Sequence, residues 1–302
     1  MPKHVVITGA SGQIGIALVH RLAARGHKIT AIARSRPEEL SMATKVYCVD
    51  LAKDPLPEGI LTNDSIVLHL AGTVPREAKT KDPSGSINAA IAKNLVLSRP
   101  GQLINLGSLS ASVAEARPDF ARQYGHEKLA AERIFAASLP GGSVVYLRPP
   151  TIYGETIKGP VMRLAALVRR GVPLPLASVT TPRPYMSLGN LLSLFQTLVE
   201  TDDLSAVANG PLEVHDGELV RTCDLVRHLA SAQGIPARIV PAPVRLLRLA
   251  GRVTGKSELV SGAIDPVPCN MDSNRLGAIG WSPTEKMPNS LRFLHQGNAR
   301  KD

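Results

Sequence analysis

The sequence predicts an α/β protein in which a doubly wound parallel sheet is followed by a smaller C-terminal α/β lobe. Over the first half of the chain, short apolar runs alternate with stretches of helical length, which is the pattern of repeated β-α-β units. Most of these runs end in glycine or polar residues, as strand ends that face a ligand do. A length of 302 residues is sufficient for two lobes.

The first β-α-β unit contains a glycine-rich turn. Residues 5–8 predict a buried strand, Gly9-Ala10-Ser11-Gly12-Gln13-Ile14-Gly15 the turn, and residues 16–25 a helix that ends at Gly26. Missing side chains in such a turn let the backbone approach a pyrophosphate at the helix N-terminus, as in a Rossmann fold. The residues that we expect at this dinucleotide are Gly9, Ser11, Gly12, Gln13 and Ile14.

The end of the second predicted strand, residues 28–33, indicates which dinucleotide is bound. An acidic residue at this point would bind the adenosine ribose of NAD, whereas an arginine pairs with the 2′-phosphate of NADP. The residues present are Arg34-Ser35-Arg36. We therefore expect NADP, with Arg34 at its phosphate; the alternative is that these are surface arginines and that NAD is bound.

Four further strands are predicted in the same half of the chain. Their ends should meet at the carboxyl edge of the sheet, where ligands of doubly wound folds bind. These strands are residues 46–49, 66–70, 102–106 and 144–147, and the first three are followed by Asp50-Leu51, Ala71-Gly72 and Gly107-Ser108.

Tyr124 and Lys128 are four residues apart in a predicted helix, so their side chains lie on one face. A cation within a few ångströms stabilises a phenolate, which lets a tyrosine exchange a proton with a substrate oxygen. His126 lies between them in sequence and faces away from Tyr124. This spacing often arises by chance, and the surrounding strand ends are what make it significant.

Composition and charge limit the partners of the protein. The net charge is +10, but Lys and Arg are scattered and aromatic residues make up only 3%, which favours a solvated basic surface over a nucleic-acid site. Cys48, Cys223 and Cys269 form no CxxC pair, so we expect no metal and a cytoplasmic location. Without a signal-peptide core or a bilayer-length apolar run, we expect no membrane insertion.

The second half of the chain is predicted to be mainly helical. Helices are expected at residues 160–170, 188–200 and 222–233, the last with Thr222 as its cap. Residues 244–252 form a basic amphipathic helix, which fits either a packed position in the lobe or a membrane surface. The packed position is the favoured interpretation because the helix is short.

Together these motifs resemble the extended short-chain dehydrogenase/reductase superfamily, in its NAD(P)-dependent epimerase/dehydratase family and nucleotide-sugar 4-ketoreductase/4-epimerase branch. The glycine turn is similar to TGxxGxxG, His69-Leu70-Ala71-Gly72 to an HLAG strand end, Tyr124 and Lys128 to YxxxK, and residues 148–154 to RPxxVYG. Looser matches are Asp50-Leu51, Asn88 and Asn94, Ser108-Leu109-Ser110, residues 183–191 and residues 276–283. Asn190 stands where the family usually has Asp, and a second phosphate-binding Arg has no counterpart near Asp265.

The resemblance implies roles for individual residues. Tyr124 would move the proton, Lys128 would support it and bind the nicotinamide ribose, and Ser110 would bind the substrate oxygen, with Ser108 as the competing choice. Arg183 would hold a substrate phosphate. The cofactor contacts that the resemblance adds are Asp50, Leu51, Leu70, Ala71, Gly72, Asn88 and Lys128.

The function implied by the resemblance is reduction of a keto group with NADP, at C4 of a nucleotide-activated sugar. Three alternatives stay open: a nucleotide-sugar 4-epimerase with tightly bound NAD(P), a ketoreductase of a non-sugar substrate, and a non-catalytic dinucleotide sensor. A homodimer is a further expectation. We assign residues 1–153 to the dinucleotide domain and 154–302 mainly to the substrate lobe, with about 183–205 returning to the first domain.

Overall fold

The computed structural model describes residues 1–73, 82–255 and 257–296, which form two compact units. The first unit comprises Met1–Pro150, Leu191–Val214 and Asn270–Ser282, and the second comprises the remaining segments. Of the segment predicted to return, the part from Leu191 onward belongs to the first unit. The assignment of two domains divided at residue 153 stays a prediction, and its final residues, 297–302, lie outside the described part of the chain.

The described residues contain the following strands and helices, numbered in chain order. The strands are β1 (His4–Thr8), β2 (Lys28–Ala33), β3 (Lys45–Cys48), β4 (Ile66–His69), β5 (Gln102–Leu106), β6 (Val144–Arg148), β7 (Thr151–Tyr153), β8 (Pro182–Ser187), β9 (Pro211–Glu213) and β10 (Leu219–Arg221). The helices are α1 (Gln13–Ala24), α2 (Ile87–Leu97), α3 (Leu109–Ala116), α4 (Gln123–Ser138), α5 (Pro160–Arg169), α6 (Leu188–Glu200), α7 (Thr222–Ala232), α8 (Val244–Val253), α9 (Ser257–Ile264), α10 (Ser273–Ala278) and α11 (Phe293–Gln296).

The first unit is built on a seven-stranded parallel sheet in the order β3-β2-β1-β4-β5-β6-β9. The chain runs outward from β1 to β3 and then crosses to β4 on the other side of β1, so the topology reverses between β1 and β4. Apolar strands suit this position because helices cover both faces of a parallel sheet. The predicted Rossmann doubly wound fold is confirmed.

Strand β9 is the element of this sheet that the sequence did not predict. Its three residues pair in parallel with β6, through Tyr146 and Pro211, Leu147 and Leu212, and Arg148 and Glu213. Leu212 is fully buried. A three-residue strand that begins with proline is too short to show an alternating pattern, and only its pairing with β6 identifies it.

A buried arginine at the end of β6 connects three elements of the first unit. The Arg148 guanidinium donates from Nε and Nη2 to Glu132 Oε2 on α4, at 3.0 and 2.5 Å. From Nη1 it donates to Glu115 Oε2 at 2.7 Å and to Ser112 Oγ at 3.1 Å, both on α3. The side chains of Arg148 and Glu132 are almost fully buried, whereas the Glu115 side chain is half exposed. The hydrogen bonds of Arg148 therefore hold both α3 and α4 against the sheet.

Segments from late in the chain complete the first unit. On α6, Gln196 and Glu200 accept hydrogen bonds from Arg21 and Arg25 of α1, at 2.8 and 3.0 Å. Arg275, on α10, donates to the carbonyls of four residues just before or at β9. Trp281 follows α10 and donates from Nε1 to Ser193 Oγ of α6 at 3.0 Å.

The second unit contains a three-stranded sheet in the order β10-β8-β7. Its apolar core includes Tyr153, Leu225, Leu229 and Leu291, and α5 and α7 pack on one another. The sequence predicts Thr222 as the cap of α7, and this prediction is wrong. Arg221 holds that position, and the Thr222 hydroxyl instead donates to the Ala263 carbonyl at 2.8 Å. Among the described helices, none combines the length and apolar character required to cross a bilayer.

Asn190, which departs from the family pattern, lies at the centre of a buried network in the second unit. Its Nδ2 donates to Asp216 Oδ1 at 2.7 Å, and its Oδ1 accepts from the backbone N–H groups of Thr284 and Glu285 at 3.0 Å. Asp216 also accepts from the Tyr153 hydroxyl. An amide can donate and accept at once, whereas an ionised carboxylate at position 190 would face a second carboxylate. Asn190 can therefore donate to Asp216 while it accepts from the backbone, without placing a second negative charge beside Asp216.

We expect Glu132→Gln to reduce the free energy of unfolding by about 3 kcal/mol, because it leaves the buried charge of Arg148 incompletely paired. Glu115→Gln is the matched control, since its half-exposed side chain should contribute no more than about 1 kcal/mol. Urea unfolding followed by circular dichroism measures both. Equal losses for the two variants would contradict the role given to Arg148 and Glu132.

The Asn190 network should make stability depend on pH. Burial raises the pKa of Asp216 from 3.8 to about 6, so between these values the folded state keeps a proton that the unfolded state has lost. The free energy of unfolding therefore falls as pH rises through this window, by at most about 3 kcal/mol. Asn190→Asp should add a loss of about 3 kcal/mol at pH 8 and a smaller loss at pH 5, where Asp216 carries a proton.

The exchanged pair Asn190→Asp with Asp216→Asn tests the cause of this pH effect. It restores one amide donor opposite one carboxylate acceptor, so stability at pH 8 should recover most of the loss. Urea unfolding of the single and double variants at both pH values is the measurement. If the double variant is no more stable than Asn190→Asp, the amide–carboxylate contact is not the cause.

Candidate active site

The glycine turn connects the end of β1 to the start of α1. Gly9 has a φ of +69°, and a β-carbon there would lie 2.7 Å from the Ala71 nitrogen at the end of β4. A β-carbon at Gly15 would lie 2.5 Å from the Gly9 carbonyl oxygen. The turn can therefore pack between β4 and α1 only with glycine at these two positions.

This turn has the form that a dinucleotide pyrophosphate requires. Gly12 is the N-cap of α1 and has no side chain that could accept a hydrogen bond from the first-turn N–H groups. The first turn carries no acidic residue, and Ser11 and Gly12 are exposed. An anionic group can therefore approach Gln13 and Ile14 at the positive end of the helix.

The ends of β2 and β3 lie beside the glycine turn. The Ala10 N–H donates to the Ile32 carbonyl at 3.1 Å, which places the exposed Arg34, two residues further on, at the neighbouring strand end. The Val49 N–H donates to the Ala33 carbonyl at 2.9 Å, and Asp50 follows it. Leu51 is buried, and its carbonyl accepts from Asn94 Nδ2 of α2 at 3.0 Å.

The end of β4 joins the glycine turn to the centre of the site. The Leu70 N–H donates to the Thr8 carbonyl at 3.1 Å, and the Ala71 N–H reaches Thr8 Oγ1 at 3.4 Å. A β-carbon at Gly72 would lie 2.7 Å from Asn88 Oδ1 and 3.0 Å from Lys128 Nζ. Gly72 thus lets the strand end approach both side chains closely.

His69, the last residue of β4, is neutral although it lies close to this centre. Complete burial lowers its pKa to about 3, and the positive charge of Lys128 acts in the same direction. Its Nδ1 lies 2.7 Å from Thr8 Oγ1, and its ring packs edge-on against Phe135. His69 therefore serves as a neutral hydrogen-bonding and packing residue across physiological pH.

Tyr124 and Lys128 lie on the same side of α4, as their spacing predicts. Lys128 Nζ lies 6.0 Å from the centre of the Tyr124 ring and 3.4 Å from the carbonyl oxygen of Leu106, at the end of β5. Both side chains are partly exposed. The ammonium group thus lies between the sheet edge and the phenol.

Ser108 and Ser110 occupy different positions at the start of α3. Ser108 is the N-cap of the helix, and its Oγ accepts from the Ser110 N–H at 3.2 Å. Ser110 lies in the first turn, where its backbone packs directly against Gly125 of α4, next to Tyr124. A side chain at position 125 would collide with the Ser110 carbonyl. Gly125, which sequence reasoning did not single out, therefore brings Ser110 and Tyr124 together.

Asn88 lies among protein groups that sequence reasoning also missed. Its Oδ1 accepts from the Thr73 N–H at 3.0 Å, and its Nδ2 donates to Thr73 Oγ1 at 2.8 Å and to Glu127 Oε2 at 3.2 Å. Asn88 and Glu127 are both buried, and Glu127 Oε1 has no hydrogen-bond partner in the described ranges. The Asn88 side chain thus supports the segment after β4, and its predicted contact with the cofactor stays a prediction.

Arg183 lies in the second unit, on β8. It is partly exposed and donates from Nη1 to the main-chain carbonyl of Asp265, whose carboxylate accepts from Arg248 of α8 at 2.6 Å. Within the described residues, no three His, Cys, Asp or Glu side chains are grouped as metal ligands.

Several similar proteins align with this chain over nearly their full length. UDP-glucose 4-epimerase of Vibrio cholerae is 28% identical over 325 aligned residues, covering 98% of this chain and 95% of that protein. UDP-N-acetylglucosamine 4-epimerase from Bacillus cereus superposes with a TM-score of 0.69 at 14% identity, covering 97% of this chain and 98% of that one. MoeE5, in complex with UDP-glucose and NAD, has a TM-score of 0.68 at 20% identity, with 98% and 99% covered.

The family model of NAD-dependent epimerases and dehydratases matches residues 5–183, which is more than half of the chain. That segment contains the glycine turn, the β4 end, and both Tyr124 and Lys128. The resemblance to extended short-chain dehydrogenases and reductases is therefore confirmed, and the chain is an enzyme of the NAD-dependent epimerase/dehydratase family.

Proposed function

We propose that the enzyme inverts the C4 hydroxyl of a nucleotide-activated sugar by oxidising this carbon and reducing it again from the opposite face. The observation that carries the proposal is the grouping of Lys128, Tyr124 and Ser110 at the carboxyl edge of the sheet. A relative that aligns with nearly the whole chain is a UDP-glucose 4-epimerase, which supports this reaction and this substrate class.

Tyr124 is the proton carrier in this reaction. During oxidation its oxygen takes the proton of the C4 hydroxyl, and during reduction it returns that proton to the carbonyl oxygen. The Lys128 ammonium would offset negative charge on the Tyr124 oxygen during this transfer. Ser110, at the start of α3 and in contact with the residue after Tyr124, would hydrogen-bond the same substrate oxygen.

The bound dinucleotide supplies the hydride acceptor and donor that complete both half-reactions. Gly9, Gly12 and the first turn of α1 would hold its pyrophosphate. Arg34 and Asp50, at neighbouring strand ends, would hold its adenosine half. Ala71 and Gly72 let the chain approach it closely at the end of β4, and Lys128 would bind the nicotinamide ribose.

Arg183 would hold a phosphate of the substrate. Its side chain is partly exposed and its guanidinium lies at the Asp265 carbonyl, and the planar fork of an arginine matches the oxygens of a phosphate. A carbonyl on one side of the guanidinium restricts its rotation, so less conformational entropy is lost when a phosphate binds.

A second candidate function is net reduction of a 4-keto sugar nucleotide with NADPH. The observation that favours it is Arg34, because an exposed arginine at the end of β2 suits a 2′-phosphate and NADPH is a reductant of biosynthesis. With a 4-keto substrate, reduction would consume NADPH, so its absorbance would fall steadily. Epimerisation of a carbinol would leave the cofactor unchanged after each turnover.

We expect Tyr124→Phe to lower kcat for C4 inversion of UDP-glucose by about 10²- to 10⁴-fold, because the variant lacks the group that moves the proton. Dinucleotide binding, measured by calorimetry, should stay within a factor of a few. Product is measured by chromatographic separation of the C4 epimers, with nicotinamide absorbance recorded in parallel.

Tyr146→Phe is the matched control for this variant. Tyr146 is a partly buried tyrosine of β6 whose pKa burial raises to about 12, so it has no part in proton transfer near neutral pH. Its loss should leave kcat unchanged. If Tyr124→Phe retains full activity while cofactor still binds, the proposed chemistry is wrong. Steady oxidation of NADPH with a 4-keto sugar, and no inversion of UDP-glucose, would favour the reductase.

Arg34→Gln should weaken NADP binding by about 10- to 100-fold and leave NAD binding nearly unchanged, because only the 2′-phosphate loses a charge-assisted hydrogen bond. Calorimetric titration with each dinucleotide gives the ratio of the NADP and NAD dissociation constants. Arg36→Gln, two residues along, is the matched control. Equal effects on NADP and NAD, or no effect on either, would mean that Arg34 is a surface residue.

A further inference from the structure

Helix α8 of the second unit packs through one side and exposes the other. Gly251 is buried, and a β-carbon at that position would lie 2.8 Å from Val260 Cγ2 of α9. Val244 and Leu247, which lie on the same side as Gly251 at 3.6 residues per turn, are partly buried. The sequence-based expectation of a packed helix therefore applies to this side alone.

The opposite side of α8 presents a row of apolar side chains to solvent. Leu246 is 59% exposed, Leu249 56% and Val253 79%. Their spacing of three and four residues places them in one stripe on the helix surface. A single exposed aliphatic side chain requires no explanation, but three adjacent ones on one helix indicate a contact surface.

A row of arginines borders this apolar stripe. Arg245, Arg248 and Arg252 are exposed and repeat with the same spacing, each one residue before a member of the stripe. Arg248 pairs with Asp265 at 2.6 Å, whereas Arg245 and Arg252 have no acidic partner in the described parts of the chain. From residue 236 to residue 256 the sequence has five Lys and Arg residues and no Asp or Glu.

We propose that α8 is a docking surface for an anionic lipid bilayer. The helix would lie in the plane of the interface, with Leu246, Leu249 and Val253 in the boundary between headgroups and acyl chains. Arg245 and Arg252, on the border of the stripe, would extend their stems along the apolar surface and place their charges at lipid phosphates. This inference stands on a different element from the proposed reaction and does not depend on it.

A bilayer fits this surface better than a second copy of the chain does. A standard protein interface buries about 800 Å² on each partner, far more than three aliphatic side chains of a ten-residue helix provide. A second copy would also bring its own arginines against these ones, since a twofold contact pairs each patch with itself. Anionic lipid headgroups instead complement the positive charge on this helix and on a protein of net charge +10.

The test is flotation of the full-length protein with phosphatidylcholine vesicles that contain or lack about one third phosphatidylglycerol. Wild-type protein should bind the anionic vesicles, bind pure phosphatidylcholine at least about tenfold more weakly, and dissociate as salt rises. Leu246→Glu with Leu249→Glu should reduce binding by more than about tenfold. Arg245→Gln with Arg252→Gln should reduce it by about 25-fold, or fivefold for each charge.

Matched controls come from the same unit. Leu219→Glu places a charge at another half-exposed leucine, and Arg163→Gln with Arg169→Gln removes two exposed arginines of α5. Both should bind as wild type does, and circular dichroism should show that every variant is folded. No binding of wild type, equal binding by α8 variants and controls, or self-association through α8 in sedimentation without vesicle binding would each overturn the proposal.

Discussion

The buried guanidinium of Arg148 is the interaction on which the geometry of the site depends. Arg148 is the last residue of β6. Its guanidinium donates to the Glu132 carboxylate on α4 and to the Ser112 hydroxyl and Glu115 carboxylate on α3. Helix α3 carries Ser110, and α4 carries Tyr124 and Lys128. Because an unpaired buried charge is costly, the two helices are held where Nε, Nη1 and Nη2 of Arg148 each reach an acceptor. Gly125 then permits the close contact between them.

A second set of polar residues supports the site from behind the sheet edge. His69 is neutral because it is buried, so it adds no second positive charge beside Lys128. Asn88 joins the segment after β4 to Glu127 on α4, next to Lys128 in sequence. The end of β1, the end of β4 and α4 are thus connected by hydrogen bonds through Thr8, His69 and Asn88. Side chains restrained in this way lose little entropy when a ligand binds.

The elements with a strong local signal were predictable from the sequence. Strands β2 and β5 and helix α6 have the predicted bounds, and the other strands of the first half differ by one or two residues. Each has an apolar run or a helical period bounded by glycine or polar residues. The Tyr124 and Lys128 spacing was sufficient to place both on one face of α4. Strand β9 and the cap of α7 were not predictable in this way, because they depend on partners distant in sequence.

The sequence by itself determined the doubly wound fold, the position of the glycine turn and the residues that meet at the carboxyl edge of the sheet. These follow from local periodicity and from the rule that parallel strands end at a common edge. Only the tertiary structure decided which polar side chains are buried together, as in the pairing of Asn190 with Asp216 and of Asn88 with Glu127. It also decided that α8 keeps one apolar side exposed. Burial is a property of the neighbours that a residue finds in space, and neighbours distant in the chain leave no periodic signal in the sequence.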